Sequence, residues 1–372
     1  MRRPPAPLWL AQPSRFATLS ASRARAALAL LALLLATTLL ALGTPGPPPV
    51  SGDPANRAED QSDVVLYETI VEGVRHGGSY YPVTADALRA GDYPLRPFVT
   101  FRLPTLAMVQ AALPALVTTA LLYLLAATTA LAWFARLREA FARPPPVIAA
   151  MALLAGGMMA FVQPDLVAFH EVWAGLFVAL SLAVRRPGRW MPAVAFGLAA
   201  VLIRETAGLY LALMAVIAWI EGDRREALGW ATAIGILGLA VGLHAHAVAQ
   251  VVRPLDPASP GWSGLLGFGF FVRTMTISTA LGLAPLWLAA PLVGLALFGW
   301  AAWRDPLGLR VLAVTAGYAL ILALFGRTDT FYWGLLVAPT LLVGLAFALD
   351  GVRDLIVGAL DRRRITVTRM VR

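Results

Sequence analysis

Asp63 is the first residue along the chain whose type and position could do chemistry. It opens a polar stretch between two long apolar segments, S62-D-V-V-L-Y-E-T-I-V-E-G-V-R-H-G-G-S-Y-Y81. Asp63 shares one helical face with the residues at i+4, i+7 and i+11, which are Tyr67, Ile70 and Val74. This spacing predicts an amphipathic helix on a membrane surface. Ser62 is suited to cap that helix, and free N–H groups of the first turn would keep the Asp63 carboxylate ionised.

A carboxylate in this position could accept a proton from a substrate hydroxyl at the membrane surface, with Tyr67 shaping the pocket one turn further on. A solvated acid at the start of a helix is the alternative interpretation, and the spacing favours neither. Because a lowered pKa makes Asp63 a weak base, proton transfer would come late, as a leaving group departs. Asp60 is the alternative acid.

Arg204 and Glu205 interrupt the apolar stretch V201-L-I-R-E-T-A-G-L-Y210. An ionised group at the centre of a bilayer costs about 2.5–3.5 kcal/mol, so such a pair is usually turned toward a cavity or has a function. A mutual ion pair at the tip of a helical hairpin is one interpretation. The favoured one is that Arg204 binds a lipid-linked phosphate, since a guanidinium binds phosphate oxygens in a fork. Glu205 is a further alternative acid.

Three other positions complete the candidate site. His170 and Glu171 begin an apolar segment, where such a pair can relay a proton or bind a metal but is more often an interfacial pair. We take Glu171 as a second candidate catalytic carboxylate. Arg327 and Arg102 are further candidates for binding a phosphate at headgroup depth, and Tyr67 is assigned to the same binding site. The sequence indicates no metal site.

The composition identifies the class of protein. Of its 372 residues, 59% are hydrophobic and 14% charged, whereas soluble domains are about 45–50% apolar. The chain has no cysteine, which excludes disulfides and thiolate metal sites. All 30 basic residues are arginine. The net charge of +9 could suggest a nucleic-acid partner, but the arginines follow the membrane topology, so we expect membrane lipids and no nucleic acid as partners.

The apolar segments predict an all-α polytopic membrane protein with about ten spans of roughly 20 residues each. The predicted spans are 26–43, 110–135, 146–163, 168–184, 191–203, 206–220, 229–248, 283–303, 309–325 and 332–349. With the N-terminus inside, 21 of the 30 arginines fall on the cytoplasmic side. This asymmetry predicts that both termini are cytoplasmic and that the candidate site faces the outside of the inner (plasma) membrane.

The predicted organisation is a cytoplasmic arginine-rich N-terminus at 1–25, a membrane domain at 26–349 and a basic cytoplasmic tail at 350–372. The membrane domain includes a first outer loop at 44–109 with surface helices, and a second large outer loop at 249–282.

The arginine-rich N-terminus, one span and an outer loop with S-D-V-V-L-Y-E-T-I-V-E-G, G-G-S-Y-Y and R-L-P-T-L-A resemble the C-type membrane glycosyltransferases, over about residues 26–222. The resemblance implies the GT-C fold and transfer of a sugar from a polyprenyl-phosphate donor to a lipid, glycan or protein acceptor at the outer face. By position, Asp63 matches the loop aspartate of that family. Arg204 lies at the hairpin where the family often has a basic residue.

One feature limits what the resemblance implies, and two other classes of protein remain open. No D-x-D sequence is present, so a metal-dependent mechanism of the oligosaccharyl type is not indicated; a divalent metal would be compatible, and no other cofactor is predicted. A transporter or flippase for a lipid-linked or anionic solute could use the same arginines without breaking a bond. A non-catalytic membrane assembly protein is the third class. A transporter predicts inverted repeats, and the sequence shows one Arg-Glu hairpin without a counterpart.

Overall fold

The computed structural model describes residues 6–46 and 62–361. In these residues the chain forms helices joined by loops and short 3-10 segments, and its only β-structure is three isolated bridges. The prediction of an all-α fold is confirmed. Asp60, the alternative acid, lies outside the described residues.

We number the α-helices in chain order. They are α1 Ala21–Thr38, α2 Ser62–Arg75, α3 Tyr80–Ala90, α4 Thr105–Ala112, α5 Ala115–Ala140, α6 Pro144–Gly157, α7 His170–Val184, α8 Met191–Ile203, α9 Gly208–Ile220, α10 Arg224–Ala249, α11 Gly267–Ile277, α12 Leu286–Ala302, α13 Pro306–Phe325, α14 Ala338–Leu341 and α15 Gly344–Ala359. The 3-10 segments that matter for the site are Glu205–Ala207 and Thr328–Leu336.

Four helical segments of the described chain are long and apolar enough to cross a membrane, namely Ala21–Leu42, Ala115–Ala140, Arg224–Ala249 and Pro306–Phe325. Five further helical segments are apolar but shorter, namely Pro144–Gly157, His170–Val184, Met191–Ile203, Glu205–Ile220 and Leu286–Ala302. By length and composition the four longer segments are compatible with a membrane protein, and the total of ten spans stays a prediction.

The prediction that residues 332–349 form one continuous span is wrong. The chain there passes through the 3-10 segment Thr328–Leu336, then α14, then α15. Val337 departs from helical geometry with φ −124°, and Pro339 lies in the first turn of the short helix that follows. A proline lacks the N–H that a continuous helix would need at this point, so the helix restarts there.

The core is centred on α7, in which 13 of the 15 residues are buried. The long helices α1 and α10 lie on the outside, as shown by the small share of their most apolar stretch, 17%, that is buried. Large apolar side chains such as Leu131 and Leu239 are exposed on the outside of this ring. An apolar outer surface of this kind suits contact with lipid.

Polar contacts between the loops fall into two sets, one at each end of the helices. At one end, which we call the arginine-rich end, Arg185 forms a buried bidentate pair with Glu226, at 3.0 and 2.6 Å. The backbone N–H groups of Leu8, Trp9 and Leu10 donate there to the carboxylate of Asp350. The opposite end carries the first and second outer loops. The two sets coincide with the predicted sides of the membrane, and which end faces the cytoplasm stays a prediction.

The helices α8 and α9 form a short hairpin whose tip is at residues 204–207. Each has 13 residues, which at 1.5 Å per residue is about 20 Å, against about 30 Å for the hydrocarbon core of a bilayer. Because both arms begin or end at the arginine-rich end, the hairpin tip stops short of the opposite face. Helices α2, α3 and α4 lie over this tip, and a space remains between them.

Two contacts hold this cover in place. Arg89 of α3 donates to both carboxylate oxygens of Asp256 in the second outer loop, at 2.9 and 2.7 Å. The backbone of the first loop also pairs with the second, where Leu95 N donates to Pro257 O at 2.9 Å. Bonding to Arg89, together with the backbone N–H of Arg253, lowers the pKa of Asp256 to about 2, so this anchor stays ionised over the physiological pH range.

Candidate functional site

A cavity of 560 Å³ lies between the cover and the ends of the short helices. Six of the eight residues predicted for the site line it, namely Asp63, Tyr67, Arg102, Arg204, Glu205 and Arg327. These residues come from α2, the loop before α4, the hairpin tip and the segment after α13. The fold therefore brings together side chains that are separated by up to 264 positions in the sequence.

Asp63 lies in the first turn of α2 and is partly buried at the cavity wall. Burial raises its pKa, and this effect outweighs the opposing influence of Arg102 and of a hydrogen bond with Tyr93. The expectation of a lowered pKa was therefore wrong, because desolvation acts on the carboxylate more strongly than the helix N-terminus. A raised pKa makes Asp63 a stronger base once it is deprotonated.

Tyr67, one turn further along α2, is buried and forms part of the same wall. Arg102 donates from Nε to the Tyr67 hydroxyl at 3.0 Å, and its guanidinium carbon lies 5.7 Å from the centre of the phenol ring. Burial raises the pKa of Tyr67 well above its usual value. The phenol therefore stays protonated, and its O–H remains available as a donor.

Arg102 is held between two aromatic rings. Its second contact is with Tyr332, whose hydroxyl accepts from Nη2 at 3.4 Å and whose ring centre lies 5.8 Å from the guanidinium carbon. The carbonyl of Arg102 accepts a hydrogen bond from Tyr80 at 2.8 Å, which fixes its backbone. In the part of the chain that the structure describes, the nearest carboxylate with which it pairs is that of Glu171, at 3.9 Å. At short range, the guanidinium of Arg102 is thus held by the neutral hydroxyls of Tyr67 and Tyr332.

Arg204 has a different environment, although it carries the same charge. Its side chain is 2% exposed, and it pairs with two carboxylates at once. Its Nε donates to Glu171 Oε1, and its Nη1 donates to Glu205 Oε1. Both acids lie at short range, so the charge of Arg204 is already balanced. This geometry favours an ion pair at the hairpin tip. The sequence had favoured the other interpretation, in which Arg204 binds a phosphate.

Glu171 does not line the cavity among the described residues. Its side chain is fully buried behind Arg204, and one of its oxygens lies within reach of both Arg204 and Arg102. A carboxylate in this position can orient the two guanidinium groups, but it has no direct path to a substrate. We therefore give Glu171 a positioning role instead of the predicted catalytic one.

Arg327 lies at the cavity wall beside Asp329, in the segment that follows α13. The Arg327 Nε donates to Asp329 Oδ1 at 3.0 Å, and Nη1 donates to Gly261 O at 3.2 Å. Both side chains are partly exposed, at 30% and 51%. Arg327 thus stands at the opening of the site with much of its charge compensated.

His170, which the sequence pointed to only as the neighbour of Glu171, lines the cavity, and the fold adds lining residues that the sequence did not indicate, among them Thr206, Tyr93, Tyr332 and Trp333. The contact of Tyr332 with Arg102 is what identifies this tyrosine as part of the site. In the described residues no group of three or more His, Asp or Glu side chains is arranged to hold a metal ion.

Comparison of the chain with protein-family models, with curated proteins and with solved structures finds no match. The function is therefore argued from the geometry of the site.

Proposed function

We propose that this protein is a membrane glycosyltransferase that moves a sugar from a polyprenyl-phosphate donor to an acceptor hydroxyl. The observation that carries the proposal is the cavity that Asp63 and Arg102 share. It combines a carboxylate of raised pKa with a guanidinium whose nearest paired carboxylate is 3.9 Å away. A general base and a cation for a departing phosphate are the two groups that such a transfer requires.

In the proposed reaction, Asp63 accepts the proton of the acceptor hydroxyl while that oxygen attacks the anomeric carbon of the sugar. The bond between the anomeric carbon and the phosphate oxygen breaks, and its electron pair leaves with the polyprenyl phosphate. One attack from the face opposite to the leaving group inverts the anomeric configuration. Arg102 stabilises the negative charge that develops on the phosphate.

Arg102 is assigned this role in preference to Arg204. A guanidinium that already pairs with two carboxylates must give up one of them before it can bind a phosphate, and Arg204 pairs with Glu171 and Glu205. Within residues 6–46 and 62–361, Arg102 bonds at short range only to two phenol hydroxyls. Its cost of exchanging partners is therefore smaller, since breaking a buried ion pair leaves an uncompensated charge.

The depth of the site supports a lipid-linked donor. The floor of the cavity is the tip of a hairpin with arms of about 20 Å, so this floor lies within the thickness of a bilayer core of about 30 Å. A phosphate attached to a polyprenyl chain would reach this level from the membrane, whereas a soluble nucleotide sugar would have to enter from water.

The test uses the full-length protein in lipid nanodiscs with labelled polyprenyl-phosphate sugars. The Asp63→Asn variant is expected to lose transfer by about 10²–10⁴-fold while it still binds the donor. The Arg102→Gln variant is expected to lose donor binding as well as transfer. The matched controls are Asp86→Asn, an exposed acid on α3, and Arg273→Gln, an arginine that does not line the cavity. Unchanged transfer in Asp63→Asn would exclude the proposed base.

One observation favours a second candidate, a transporter of a lipid-linked solute. Helices are interrupted next to the cavity at two places, at 204–207 and at 326–343, and interrupted helices form the binding sites of many transporters. Liposomes that contain the wild-type protein separate the two functions. Movement of the intact lipid-linked sugar across the bilayer, with no release of polyprenyl phosphate, would favour transport.

A further inference from the structure

His170 is a buried polar side chain at the cavity that the proposed reaction does not use. It is the first residue of α7, it is 3% exposed, and it lines the cavity. Neither of its ring nitrogens has a hydrogen-bond partner among the described residues. Tyr67 holds the ring in place, with the two ring centres 4.9 Å apart in an edge-on arrangement.

Two other cavity-lining residues, Glu205 and Thr206, also carry a polar atom without a partner among the described residues. Glu205 bonds to Arg204 through Oε1, but its Oε2 has no partner among the described residues. The hydroxyl of Thr206, the next residue, also has no hydrogen-bond partner among the described residues. Both residues belong to the hairpin tip. Since Glu171 binds Arg204, the hairpin tip and the start of α7 are joined directly beside His170.

The chemistry of these groups differs from that of a phosphate site. A neutral imidazole offers one N–H donor and one acceptor nitrogen, a threonine hydroxyl offers both functions, and a carboxylate oxygen accepts. Phosphate oxygens only accept, so a carboxylate oxygen would repel them. Sugar hydroxyls both donate and accept, and they can bind to all three groups. Leaving buried polar groups unpaired destabilises the empty site, and a bound ligand that pairs with them removes this cost.

We propose that His170, with Glu205 and Thr206, forms a subsite that binds hydroxyl groups of the transferred sugar. The subsite rests on the proposed function only in naming the ligand as the sugar of a lipid-linked donor. Arg102 then binds the phosphate, and the floor of the cavity binds the polyhydroxylated group attached to it. His170 is in this view a substrate-binding residue that distinguishes the glycosylated lipid from the bare polyprenyl phosphate.

The central variant is His170→Phe, which keeps a flat ring against Tyr67 and removes both nitrogens. Binding is measured on the full-length protein in nanodiscs, with labelled polyprenyl-phosphate glucose or mannose and with polyprenyl phosphate alone. We expect the Kd for the glycosylated lipids to rise about tenfold, as for the loss of one or two hydrogen bonds, and the Kd for polyprenyl phosphate to stay unchanged. His244→Phe is the matched control, because His244 is also buried but does not line the cavity.

Thermal stability distinguishes this role from a structural one. Replacing a buried, unpaired polar group with an apolar one of similar shape is neutral or stabilising, so His170→Phe is expected to keep or raise Tm while the affinity for the glycosylated lipids falls. A His170→Phe variant with lowered Tm and unchanged discrimination between the two lipids would overturn the inference.

A second ligand series separates failure of the subsite from failure of the proposed function. Free glucose, mannose, galactose, arabinose and ribose are tested by saturation-transfer NMR against the wild type and His170→Phe. If the wild type binds no polyprenyl phosphate but binds a free sugar, and His170→Phe does not, the proposed lipid-linked donor is overturned and the sugar subsite stands. If the wild type and His170→Phe discriminate equally well between the glycosylated lipid and polyprenyl phosphate, the proposed donor stands and the sugar subsite is overturned.

Discussion

Arg102 and Arg204 carry the same charge in the same cavity, and their neighbours decide what each can do. Arg204 pairs with two carboxylates, and Arg102 with two phenol hydroxyls and one carboxylate at 3.9 Å. The first arrangement stabilises the hairpin tip, and the second leaves a cation able to exchange partners. A residue type that suggests phosphate binding from the sequence can therefore serve either purpose.

At Asp63 we predict that the Asp63→Asn variant is more stable than the wild type at neutral pH. The folded-state pKa of Asp63 is raised above the usual 3.8 by burial, so the folded protein binds this proton more tightly than the unfolded chain. The ionised carboxylate costs stability, and this cost appears as the pH rises through the raised pKa and vanishes below the usual value. Melting curves of both proteins from pH 4 to 8 test the sign, and a variant that is less stable at pH 8 contradicts it.

At Arg204 we predict that Arg204→Gln destabilises the fold by about 3–5 kcal/mol, because it leaves the carboxylates of Glu171 and Glu205 without their partner. The double variant Arg204→Gln with Glu171→Gln should recover part of this loss. Unfolding in detergent provides the measurement, with Arg253→Gln in an exposed loop as the control. If Arg204→Gln keeps wild-type stability and loses only donor affinity, Arg204 is the phosphate ligand after all.

Among the elements, the short hairpin and its cover form the site together. Helices α8 and α9 are too short to reach the far face, and α2, α3 and α4 close the space above them. Neither part forms a pocket alone, because Asp63 and Tyr67 lie on the cover and Arg204 and Thr206 on the hairpin. Arg89 and Asp256 hold the cover to the second outer loop.

Helices α12 and α15 illustrate how closely the elements pack. A Cβ on Gly344 would lie 2.1 Å from the carbonyl oxygen of Ala296. We therefore predict that Gly344→Ala lowers the free energy of unfolding by about 1–3 kcal/mol or more, since overpacking forces the two backbones apart. Gly238→Ala is the control, because nothing lies within 4 Å of the added carbon and alanine is favoured over glycine in a helix by up to about 1 kcal/mol. Equal stability of the two variants would contradict this packing.

For the whole molecule, the polar contacts separate into two ends that match the arginine asymmetry. The N-terminal segment binds α15 through Asp350 at one end, and the first and second outer loops join at the other. The charged side chains at the arginine-rich end pair with one another, as Arg185 does with Glu226. This arrangement leaves the outer surface of the helices apolar.

The topology can be tested directly because the chain has no cysteine. We predict that Asp86→Cys in intact cells reacts with a membrane-impermeant maleimide and that Pro187→Cys reacts only after the membrane is permeabilised. Both side chains are exposed, and they lie at opposite ends of the helices. Labelling of both positions from the same side would contradict the predicted orientation.

From the sequence alone, the helical class, the apolar segments and a helix with Asp63 and Tyr67 on one face were all predictable. These properties depend on local composition and on a period of 3.6 residues, which neighbours along the chain decide. The break of the last predicted span after residue 336 was not predicted, because the apolar run continues through it. Pro339 and the packing of α14 interrupt the helix without interrupting its hydrophobicity.

Only the tertiary structure decided which candidate side chains meet and with which partners. Glu171 and Arg204 are separated by 33 residues, and Arg102 and Tyr332 by 230. The sequence therefore named the charged groups of the site, but the only pairing that it offered was Arg204 with Glu205. The pairing determines that Arg204 is compensated, that Arg102 is held by phenols and that the pKa of Asp63 is raised. The physical reason is that Coulomb interaction and desolvation depend on distances and burial in space, which a linear pattern does not contain.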